Sequence, residues 1–426
     1  MIKLESEHKS GTQSGGNAPA VSVIVPAYNV AAYIADALAS VFAQTFTNFE
    51  VIVINDGSPD TAELERVLEP FRESMIYIKQ ENRGPSGARN AGIRRARGQY
   101  VAFLDADDVW LAEYLSEQIQ ALNADPALDL IYADATLFGE GDRAGETFMD
   151  TCPSMGPVTL ESLLSQRCVV ITSCVVVRRQ TLIDAGLFDE NYYRSEDFDL
   201  WVRLVYAGAR LSYQRKVLAR HRLRPDSLAG DPERLHECAI EVYANLGLKL
   251  KLTAHERALV DNQIANYEFD LALSKGKREL RNGNHKQAAA SLRSALNLKR
   301  TLGQSRLKLR LALLALRIAP AVAQGVYRRR HESAFATPTS VENRKRVGSL
   351  SYTVAHVMPW DAVGGTEHAT LRIAQATSDA QLRHVMFCLS DGPAVKSLFK
   401  DAGFETVDYI KIEPSYRHAW TYLRES

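Results

Sequence analysis

The stretch VAFLDADDVW at residues 101–110 passes from four apolar residues directly into three carboxylates, Asp105, Asp107 and Asp108. Four successive apolar residues are typical of a fully buried strand. Carboxylates crowded at the end of such a strand repel one another, and a hard divalent cation such as Mg²⁺ or Mn²⁺ is their usual partner. The alternative is that the acids lie at the positive end of a following helix. This stretch alone leaves both interpretations open.

Strand-like and helix-like segments alternate around this stretch. Apolar runs predict four strands, and amphipathic segments between them predict three helices, at residues 21–25, 31–43, 50–54, 60–73, 75–79, 88–97 and 100–104 in chain order. Pro26 is expected to stop the first strand, and Asp60 is a candidate cap of the second helix. Short connections between alternating strands and helices predict a mainly parallel sheet covered by helices, an α/β fold.

Polar residues follow the predicted strands where such sheets bind ligands, at the carboxyl ends. Tyr28 and Asn29 follow the first strand, Asp56 follows the second, and Asp105 and Asp107 follow the fourth. The first strand-to-helix turn has no GxGxxG pattern, which disfavours a dinucleotide-binding site.

Composition gives weaker constraints. The chain has 426 residues, which suggests two to three domains, and 51 basic residues balance 51 acidic ones, so the net charge does not indicate a nucleic-acid partner. The five cysteines form no CxxC pair, which favours a reducing compartment over a disulfide framework or a zinc site. Residues 1–19 are polar and predict a disordered leader without a signal sequence. We expect a cytoplasmic protein, because no apolar run reaches membrane-spanning length.

Four motifs then add a more specific indication: VSVIVPAYN at 21–29, VINDGS at 53–58, GARNAGI at 87–93 and FLDADD at 103–108. In this order and spacing they resemble the glycosyltransferases of family 2, which are inverting enzymes with the GT-A nucleotide-diphospho-sugar transferase fold. The resemblance favours the metal interpretation of the first stretch.

The resemblance also implies roles on the donor side. Pro26 and Tyr28 would line the base pocket of a nucleotide sugar, and Asp56 would accept a hydrogen bond from the base. Arg89 and Asn90 would lie near the diphosphate and the sugar. The alternatives are a surface salt bridge for Arg89 and a polar position inside a helix for Asn90.

Asp105 and Asp107 match the DxD motif of that family. The resemblance implies that Asp105 contacts the ribose or the donor sugar and that both residues serve the metal, Asp107 as its main ligand. Asp108 is a further candidate ligand or a helix cap.

A second acidic motif resembles the acceptor side of the same enzymes, with GLFDE at 186–190 and SEDFDLW at 195–201. Ser195 is a candidate helix cap, and Glu196 and Asp197 would occupy the first turn. The resemblance implies that Asp197 is the general base, with Glu196 as a further candidate site residue. The alternative is that both acids complement the helix dipole. His221 either approaches the metal or the diphosphate, or lies on the surface of a basic loop.

The remainder of the chain divides into three predicted segments. We expect residues 20–233 to form the GT-A domain. Residues 234–330 predict a helical extension, in which residues 282–292 resemble half of a tetratricopeptide-like hairpin. Residues 331–349 read as a linker. Residues 350–426 resemble the beginning of a family 4 (GT-B) glycosyltransferase. The resemblance rests on a predicted strand at 352–358, a Gly-Gly helix start at 364–365 and a predicted strand at 384–389. The chain stops before a donor-binding half, so we expect this partial module to be inactive, as a truncation or a docking remnant.

The end of the helical extension is strongly basic, with nine basic and no acidic residues from Lys299 to Arg330. Lys299, Arg306, Arg310 and Arg317 fall on one helical stripe. Such a helix suits the inner surface of an anionic membrane. The alternative is a helix that packs on the catalytic domain with a solvated basic edge.

Together these features predict a metal-dependent, inverting transfer of a sugar from a nucleoside diphosphate, most simply UDP, to a saccharide or lipid-linked saccharide in surface polysaccharide biosynthesis. The rival interpretation is a non-catalytic scaffold that docks partners through its helical segment. A nucleotidyltransferase is disfavoured, because the first strand is not followed by a Gly-rich basic loop.

Overall fold

A computed structural model describes side chains over most of the first 325 residues and only the backbone of three strands beyond them. The described ranges are 18–140, 143–224, 231–298, 303–321 and 324–325, with side chains from 308 onward in the last helix, and the strands at 352–358, 382–388 and 405–408. The chain divides into two compact units, residues 1–335 and 336–426. The predicted leader and linker and the Gly-Gly helix start lie outside the described residues, except for residues 18–19.

The first unit begins with alternating strands and helices, as predicted. In chain order these are β1 (Val21–Ala27), α1 (Ile34–Phe42), β2 (Phe49–Asp56), α2 (Thr61–Leu68), β3 (Ile76–Gln80), α3 (Gly84–Arg95) and β4 (Tyr100–Phe103). The next elements are β5 (Val109–Trp110), α4 (Tyr114–Ala124), β6 (Leu130–Gly139), α5 (Phe148–Thr151), α6 (Leu160–Leu164), β7 (Val175–Arg178), α7 (Arg179–Asp184), α8 (Glu196–Tyr206) and β8 (Leu211–Leu223).

One eight-stranded mixed sheet organises these elements, in the order β3-β2-β1-β4-β7-β6-β8-β5. The first four strands of this order are parallel neighbours, which confirms the predicted parallel sheet for that half. The other half is mixed, because β7 runs antiparallel to both β4 and β6, β8 is parallel to β6, and β5 is antiparallel to β8. The carboxyl ends of β1, β2 and β4 therefore meet at one edge.

The core lies on both faces of this sheet because successive strand residues point to opposite sides. Val23 of β1 belongs to the cluster that packs with Leu38 of α1 on one face. Ile24 belongs to the cluster on the other face, with Ile93 of α3 and Trp201 of α8. Both faces are covered, which explains why the strands read as continuous apolar runs.

Pro26 does not stop the first strand, in contrast to the prediction. It pairs in register with Ile54 of β2, and β1 continues to Ala27. The ladder between β1 and β4 ends at the pair Ile24–Phe103, followed by the bond from the Leu104 amide to the Ile24 carbonyl. The Pro26 nitrogen faces the β4 side, beyond the last bond of this ladder, so its missing N–H removes no hydrogen bond between strands.

The two predicted helix caps were wrong as well. The Asp60 carboxylate accepts a hydrogen bond from the Ala31 amide at 2.9 Å and makes no side-chain cap to α2, all of which the structure describes. Ser195 precedes α8 with φ of 60°, a left-handed conformation in which its side chain makes no cap to that described helix. Asp60 instead links the loop after β2 to the segment that precedes α1.

The apolar run at 168–178 is only partly a strand. A short 3-10 helix, Thr172–Cys174, precedes β7. Ser173 lies beside the end of β4, since its hydroxyl accepts a hydrogen bond from the Asp105 amide at 3.1 Å. The β propensity of the sequence is therefore overridden by contacts at the sheet edge.

Helices continue the chain after β8, as predicted: α9 (Pro232–Lys249), α10 (Ala254–Arg281), α11 (His285–Asn297) and α12 (Gly303–Ile318). α10 and α11 form a hairpin that turns at Gly283, where φ is +82°. A Cβ at Gly276 would lie 2.8 Å from Leu292 Cδ2, so a glycine allows these helices to approach closely. No helix in the described ranges is long and apolar enough to cross a membrane.

The second unit contains three described strands, β9 (Tyr352–Met358), β10 (Leu382–Cys388) and β11 (Glu405–Asp408). They form a parallel sheet in the order β11-β10-β9. Two of them agree with the predicted strands at 352–358 and 384–389.

The contact of α3 with the sheet gives a stability prediction. A Cβ at Gly92 would lie 2.6 Å from Ile24 Cγ2, so Gly92→Ala should lower the free energy of unfolding by about 1–2 kcal/mol. This loss would occur although alanine is favoured over glycine inside a helix by ~1 kcal/mol. Urea denaturation measures the change. In an Ile24→Ala background the same substitution should be neutral or stabilising, and an equal cost in both backgrounds would contradict the proposed clash.

Candidate active site

The edge formed by the carboxyl ends of β1, β2 and β4 carries most of the predicted donor-side residues. Tyr28 follows β1 with 46% of its surface exposed, and the half-buried Pro26 lies just before it. Asp56 ends β2 and is buried. Its Oδ1 accepts hydrogen bonds from Gln80 Nε2 at 2.6 Å and from the Arg83 amide at 2.9 Å. These bonds fix the Asp56 carboxylate against the loop that follows β3.

Arg89 lies at the centre of the edge rather than on its surface. The side chain of this α3 residue is 7% exposed and is held by two carboxylates: Nη2 donates to Asp105 Oδ1 at 2.8 Å, and Nη1 donates to Glu196 Oε1 at 2.6 Å. Its guanidinium also stacks over the ring of Phe188, 5.6 Å from the centroid. Arg89 thus joins the end of β4 to the first turn of α8, and a surface salt bridge is excluded as its role.

The three charged groups of this bridge shift one another's pKa values. Burial by itself would lower the pKa of Arg89, but Asp105 and Glu196 raise it above its ordinary value. Burial alone would raise the pKa of Asp105, but Arg89 outweighs it and holds that pKa below its ordinary range. Burial raises the pKa of Glu196 to about 7, with Arg89 opposing the rise and Asp197 adding to it.

Asn90 contacts the neighbouring loop rather than open space at the edge. Its Nδ2 donates to the Phe188 carbonyl at 2.9 Å and to Glu190 Oε1 at 3.0 Å. Its Oδ1 accepts from the Phe188 amide at 3.0 Å. Both polar groups of the Asn90 side chain are engaged by the loop before α8, so the residue orders that loop. The position near the diphosphate and the sugar that the resemblance implies for Asn90 stays a prediction beside these contacts.

The other two carboxylates of the DADD motif meet basic residues from the end of β8. Asp107 Oδ2 accepts from Arg224 Nη1 at 3.0 Å. The buried Asp108 accepts from the Arg222 amide at 2.8 Å, and its Oδ2 lies 2.9 Å from His221 Nδ1. Asp108 therefore ties β8 to the turn after β4 and is not a helix cap.

Protonation in this group follows from burial and crowding. Burial, with repulsion from Asp108 and Asp105, raises the pKa of Asp107 to about 6 against the opposing effect of Arg224. Burial would lower the pKa of His221, but Asp108 raises it to about 9. While the imidazole is protonated it has no lone pair for a metal, and its Nδ1 donates to Asp108.

These residues fit a divalent cation that is held jointly with a phosphate ligand. Among the described residues, no three His, Cys, Asp or Glu side chains form a metal site of their own. Mg²⁺, however, is commonly held by one or two carboxylates together with substrate phosphates. Burial, with repulsion from Asp108 and Asp105, raises the pKa of Asp107, and a cation at Asp107 and Asp105 would relieve the repulsion.

Asp197 lies in the first turn of α8, next to Glu196, and has hydrogen-bond donors of its own. Its Oδ2 accepts a hydrogen bond from Thr172 Oγ1 at 2.7 Å, and its Oδ1 accepts from the Phe198 amide at 2.7 Å. Asp197 also lines a pocket of ≈ 130 Å³. A carboxylate that is held by two donors and borders a pocket is suitably oriented to accept a proton from a bound group.

Four residues of this arrangement were not predicted from the sequence: Thr172, Ser173, Arg222 and Arg224. The alternation of basic residues at 220, 222 and 224 gave a signal for the last two, since every second residue of a strand lies on the same face. Thr172 and Ser173 gave none, because they lie within an apolar run.

Known glycosyltransferases are similar to this chain in sequence. The family model described as glycosyl transferase family 2 matches residues 22–180. The amylovoran biosynthesis glycosyltransferase AmsB of Erwinia amylovora is 30% identical over 215 residues, which cover 47% of this chain and 69% of that protein. An uncharacterized glycosyltransferase of Rickettsia conorii is 29% identical over 208 residues, which cover 48% of this chain but only 34% of the relative. The match therefore spans about a third of the Rickettsia protein.

Among solved structures, the mannosyltransferase PcManGT from Pyrobaculum calidifontis, in complex with GDP-Man and Mn²⁺, matches at a TM-score of 0.49 and 19% identity. The match covers 74% of this chain and 88% of that one.

The raised pKa of Glu196 predicts a pH-dependent stability. A carboxyl whose pKa rises on folding stabilises the fold fully below its unfolded value, near 4.5, and loses that contribution as the pH rises through about 7. The free energy of unfolding of the wild type, minus that of Glu196→Gln, should therefore fall by roughly 2 kcal/mol between pH 5 and pH 8. Urea titrations of both proteins at several pH values test this. A constant difference would mean that Glu196 stays ionised against Arg89 throughout.

Proposed function

The chain belongs to glycosyl transferase family 2, and from that premise we propose that it transfers a sugar from a nucleoside diphosphate sugar to a hydroxyl of a saccharide or lipid-linked saccharide. UDP is the simplest nucleotide, and polysaccharide biosynthesis, as named for the Erwinia relative, is the proposed setting. The observation that carries this proposal is the Arg89 bridge, which joins Asp105 of the DADD turn to Glu196, the neighbour of Asp197.

On the donor side, we assign the nucleoside to the edge beyond β1 and β2. The exposed Tyr28 ring offers a face on which a base can stack, with Pro26 beside it. Asp56 is oriented by Gln80 and the Arg83 amide and would accept a hydrogen bond from the base edge. Asp105 would accept one from the ribose or the donor sugar.

We propose that Asp107, with Asp105, holds Mg²⁺ or Mn²⁺ together with the diphosphate. When bound, such a cation neutralises the charge that develops on the departing diphosphate. Arg224, which pairs with Asp107, would exchange this carboxylate for a phosphate oxygen, since a guanidinium binds either group. His221 and Asp108 would support this region by fixing β8 against the DADD turn.

On the acceptor side, we assign Asp197 as the general base. An acceptor hydroxyl becomes an effective nucleophile as its proton passes to the carboxylate. The hydroxyl oxygen then bonds to the anomeric carbon while the bond from that carbon to the diphosphate breaks. A single displacement of this kind inverts the anomeric configuration. Arg89 would hold the DADD turn and the first turn of α8 in position, and Asn90 would order the loop that precedes α8.

Nucleotide release tests these assignments. With UDP-, GDP- and dTDP-sugars and Mn²⁺ or Mg²⁺, the wild type should release nucleotide from one donor. Asp107→Ala and Asp197→Asn should each reduce the rate by roughly 10²-fold or more, the range of a lost general base or charge-stabilising group. Asp184→Asn, an exposed carboxylate on α7, is the matched control and should behave as the wild type. If calorimetry in the presence of metal detects no binding of any donor, the scaffold interpretation replaces the enzyme interpretation.

We further propose that α12 brings the enzyme to the cytoplasmic face of an anionic membrane. Leu309 and Leu316 are buried against the helical extension, whereas Leu311, Leu314 and Ile318 are 52%, 44% and 60% exposed. The exposed three are spaced i, i+3 and i+7 and form one apolar stripe. Exposed basic residues flank it, Arg310 and Arg317 on one side and Lys308 on the other. Lys299 and the side chain of Arg306 lie outside the described residues.

Vesicle flotation tests this contact. The full chain should bind vesicles that contain phosphatidylglycerol more tightly than vesicles of phosphatidylcholine alone, and salt should weaken the binding. The double variant Leu311→Glu/Leu314→Glu should weaken it by roughly tenfold or more, because apolar burial is lost and negative charge is added. Leu248→Glu, at a leucine of α9 that is 83% exposed, is the control. Equal losses in control and double variant would contradict a contact through α12.

For the second unit we propose the beginning of a family 4-like module. Its three parallel strands support an α/β arrangement but assign no activity.

A further inference from the structure

Arginines and aromatic rings alternate at the end of β8, beside the DADD turn. Arg220, Arg222 and Arg224 are every second residue of this segment and so share one face. The centroid of the Phe138 ring on β6 lies 4.3 Å from the guanidinium carbon of Arg220 and 4.4 Å from that of Arg222. The centroid of the Tyr33 ring lies 5.0 Å from the guanidinium carbon of Arg222 and 4.4 Å from that of Arg224. Two rings therefore link the three cations into one row, which we call the arginine–ring row.

Carboxylates offset the mutual repulsion of these cations. Arg222 Nη2 donates to Asp36 Oδ2 at 3.1 Å, in the first turn of α1, and Arg222 Nε donates to the Asp107 carbonyl at 2.8 Å. Arg224 Nη1 donates to Asp107 Oδ2 at 3.0 Å. The side chains of Arg222 and Arg224 are only 17% and 8% exposed. Because a cation over an aromatic face is stabilised most where water is excluded, the ring contacts of these two arginines are of the stronger kind.

Tyr33 is the member of the arginine–ring row that comes from the donor side of the site. It directly precedes α1, in the connection that begins with Tyr28 after β1. Its side chain makes no cap to α1, a helix that the structure describes completely. Its ring, by contrast, contacts two guanidinium groups. The aromatic face is therefore the part of Tyr33 that acts on the site.

The contacts of Arg224 show that a ring and an anion can hold it together. The guanidinium lies over the Tyr33 ring while its Nη1 donates to Asp107. A ring that takes the face of a guanidinium leaves N–H groups for an oxygen ligand. Such a ring can orient an arginine without competing for the anion that the arginine binds. A long side chain that is held in this way loses less conformational freedom when a ligand arrives.

We propose that Tyr33 is a positioning residue for the donor diphosphate and acts through Arg224. The Tyr33 ring keeps the Arg224 guanidinium at the DADD turn while its N–H groups pass from Asp107 to a phosphate oxygen. This inference rests on the proposed function, in which Arg224 makes that exchange, and extends it to a residue that itself contacts neither the diphosphate nor the cation. Donor binding then depends on an aromatic ring at position 33 and not on a tyrosine hydroxyl.

Calorimetry of the full chain with UDP, GDP and dTDP, each with Mn²⁺, tests the role of the ring. Tyr33→Phe keeps the ring and should bind the preferred nucleotide as the wild type does. Tyr33→Leu and Tyr33→Met remove the ring and should each weaken binding roughly tenfold, the effect of one cation–π contact with little solvent. Wild-type affinity in both variants without the ring overturns the proposal. An equal loss in Tyr33→Phe overturns it as well.

A double-variant cycle separates positioning from a general loss of structure. In an Arg224→Gln background no guanidinium remains at that position, so adding Tyr33→Leu should weaken nucleotide binding by roughly twofold or less. Fully additive losses would overturn the proposal, because Tyr33 would then act independently of Arg224. Tyr213→Leu is the matched control. It removes the contact with Arg215, at 6.0 Å near the start of β8, and should leave nucleotide affinity unchanged.

Failure of this inference and failure of the proposed function give different results. If the wild type binds a nucleotide and Tyr33→Leu binds it equally well, the positioning role is overturned and the proposed function stands. If the wild type binds none of the three nucleotides, the proposed function is overturned, and this inference with it.

Discussion

The buried guanidinium of Arg89 is the constraint on which the site depends. This guanidinium, which is almost inaccessible to solvent, lies between Asp105 at the end of β4 and Glu196 at the start of α8. Removing these charges from water is costly, and the cost is offset only while all three groups keep their geometry. The distance between the DADD turn and the first turn of α8 is therefore set by ion pairing, and Asp197 is carried by that same turn. Phe188 and Asn90 support the bridge, the first by stacking on the guanidinium and the second by holding the Phe188 backbone.

Much of the fold could be predicted from sequence because its signals are local. The apolar runs and the short connections indicated the parallel half of the sheet, and the four motifs placed polar residues at the correct edge. Long-range partners could not be predicted in this way. Arg89 and Glu196 are 107 positions apart, and no local pattern distinguishes their contact from a bond between Arg89 and a ligand. The same limit applies to Thr172 and Ser173, whose hydroxyls serve the site from within a run that otherwise favours a strand.

The errors at Pro26, Asp60 and Ser195 have a common physical cause. Each residue was judged by its preferred local role, as a strand breaker or a helix cap. Long-range contacts override that role for Pro26 and Asp60, and a left-handed backbone overrides it for Ser195. Pro26 lies where one ladder has ended, and Asp60 accepts from the start of the segment before α1. Ser195 adopts a left-handed conformation that sets the direction in which α8 departs. Departures from local preference therefore concentrate where the candidate site is formed.

The position of β8 in the sheet also has a consequence for the order of folding during synthesis. This strand lies between β6 and β5, so the short β5, directly after the DADD turn, is paired only when residues near 220 have joined the sheet. The four parallel strands can associate long before that point, since their partners are close in sequence. Until β8 emerges, however, Asp108 lacks the Arg222 amide and His221, and Asp107 lacks Arg224. Synthesis of residues 221–224 therefore supplies at one time the partners of two neighbouring carboxylates that were made more than 100 residues earlier.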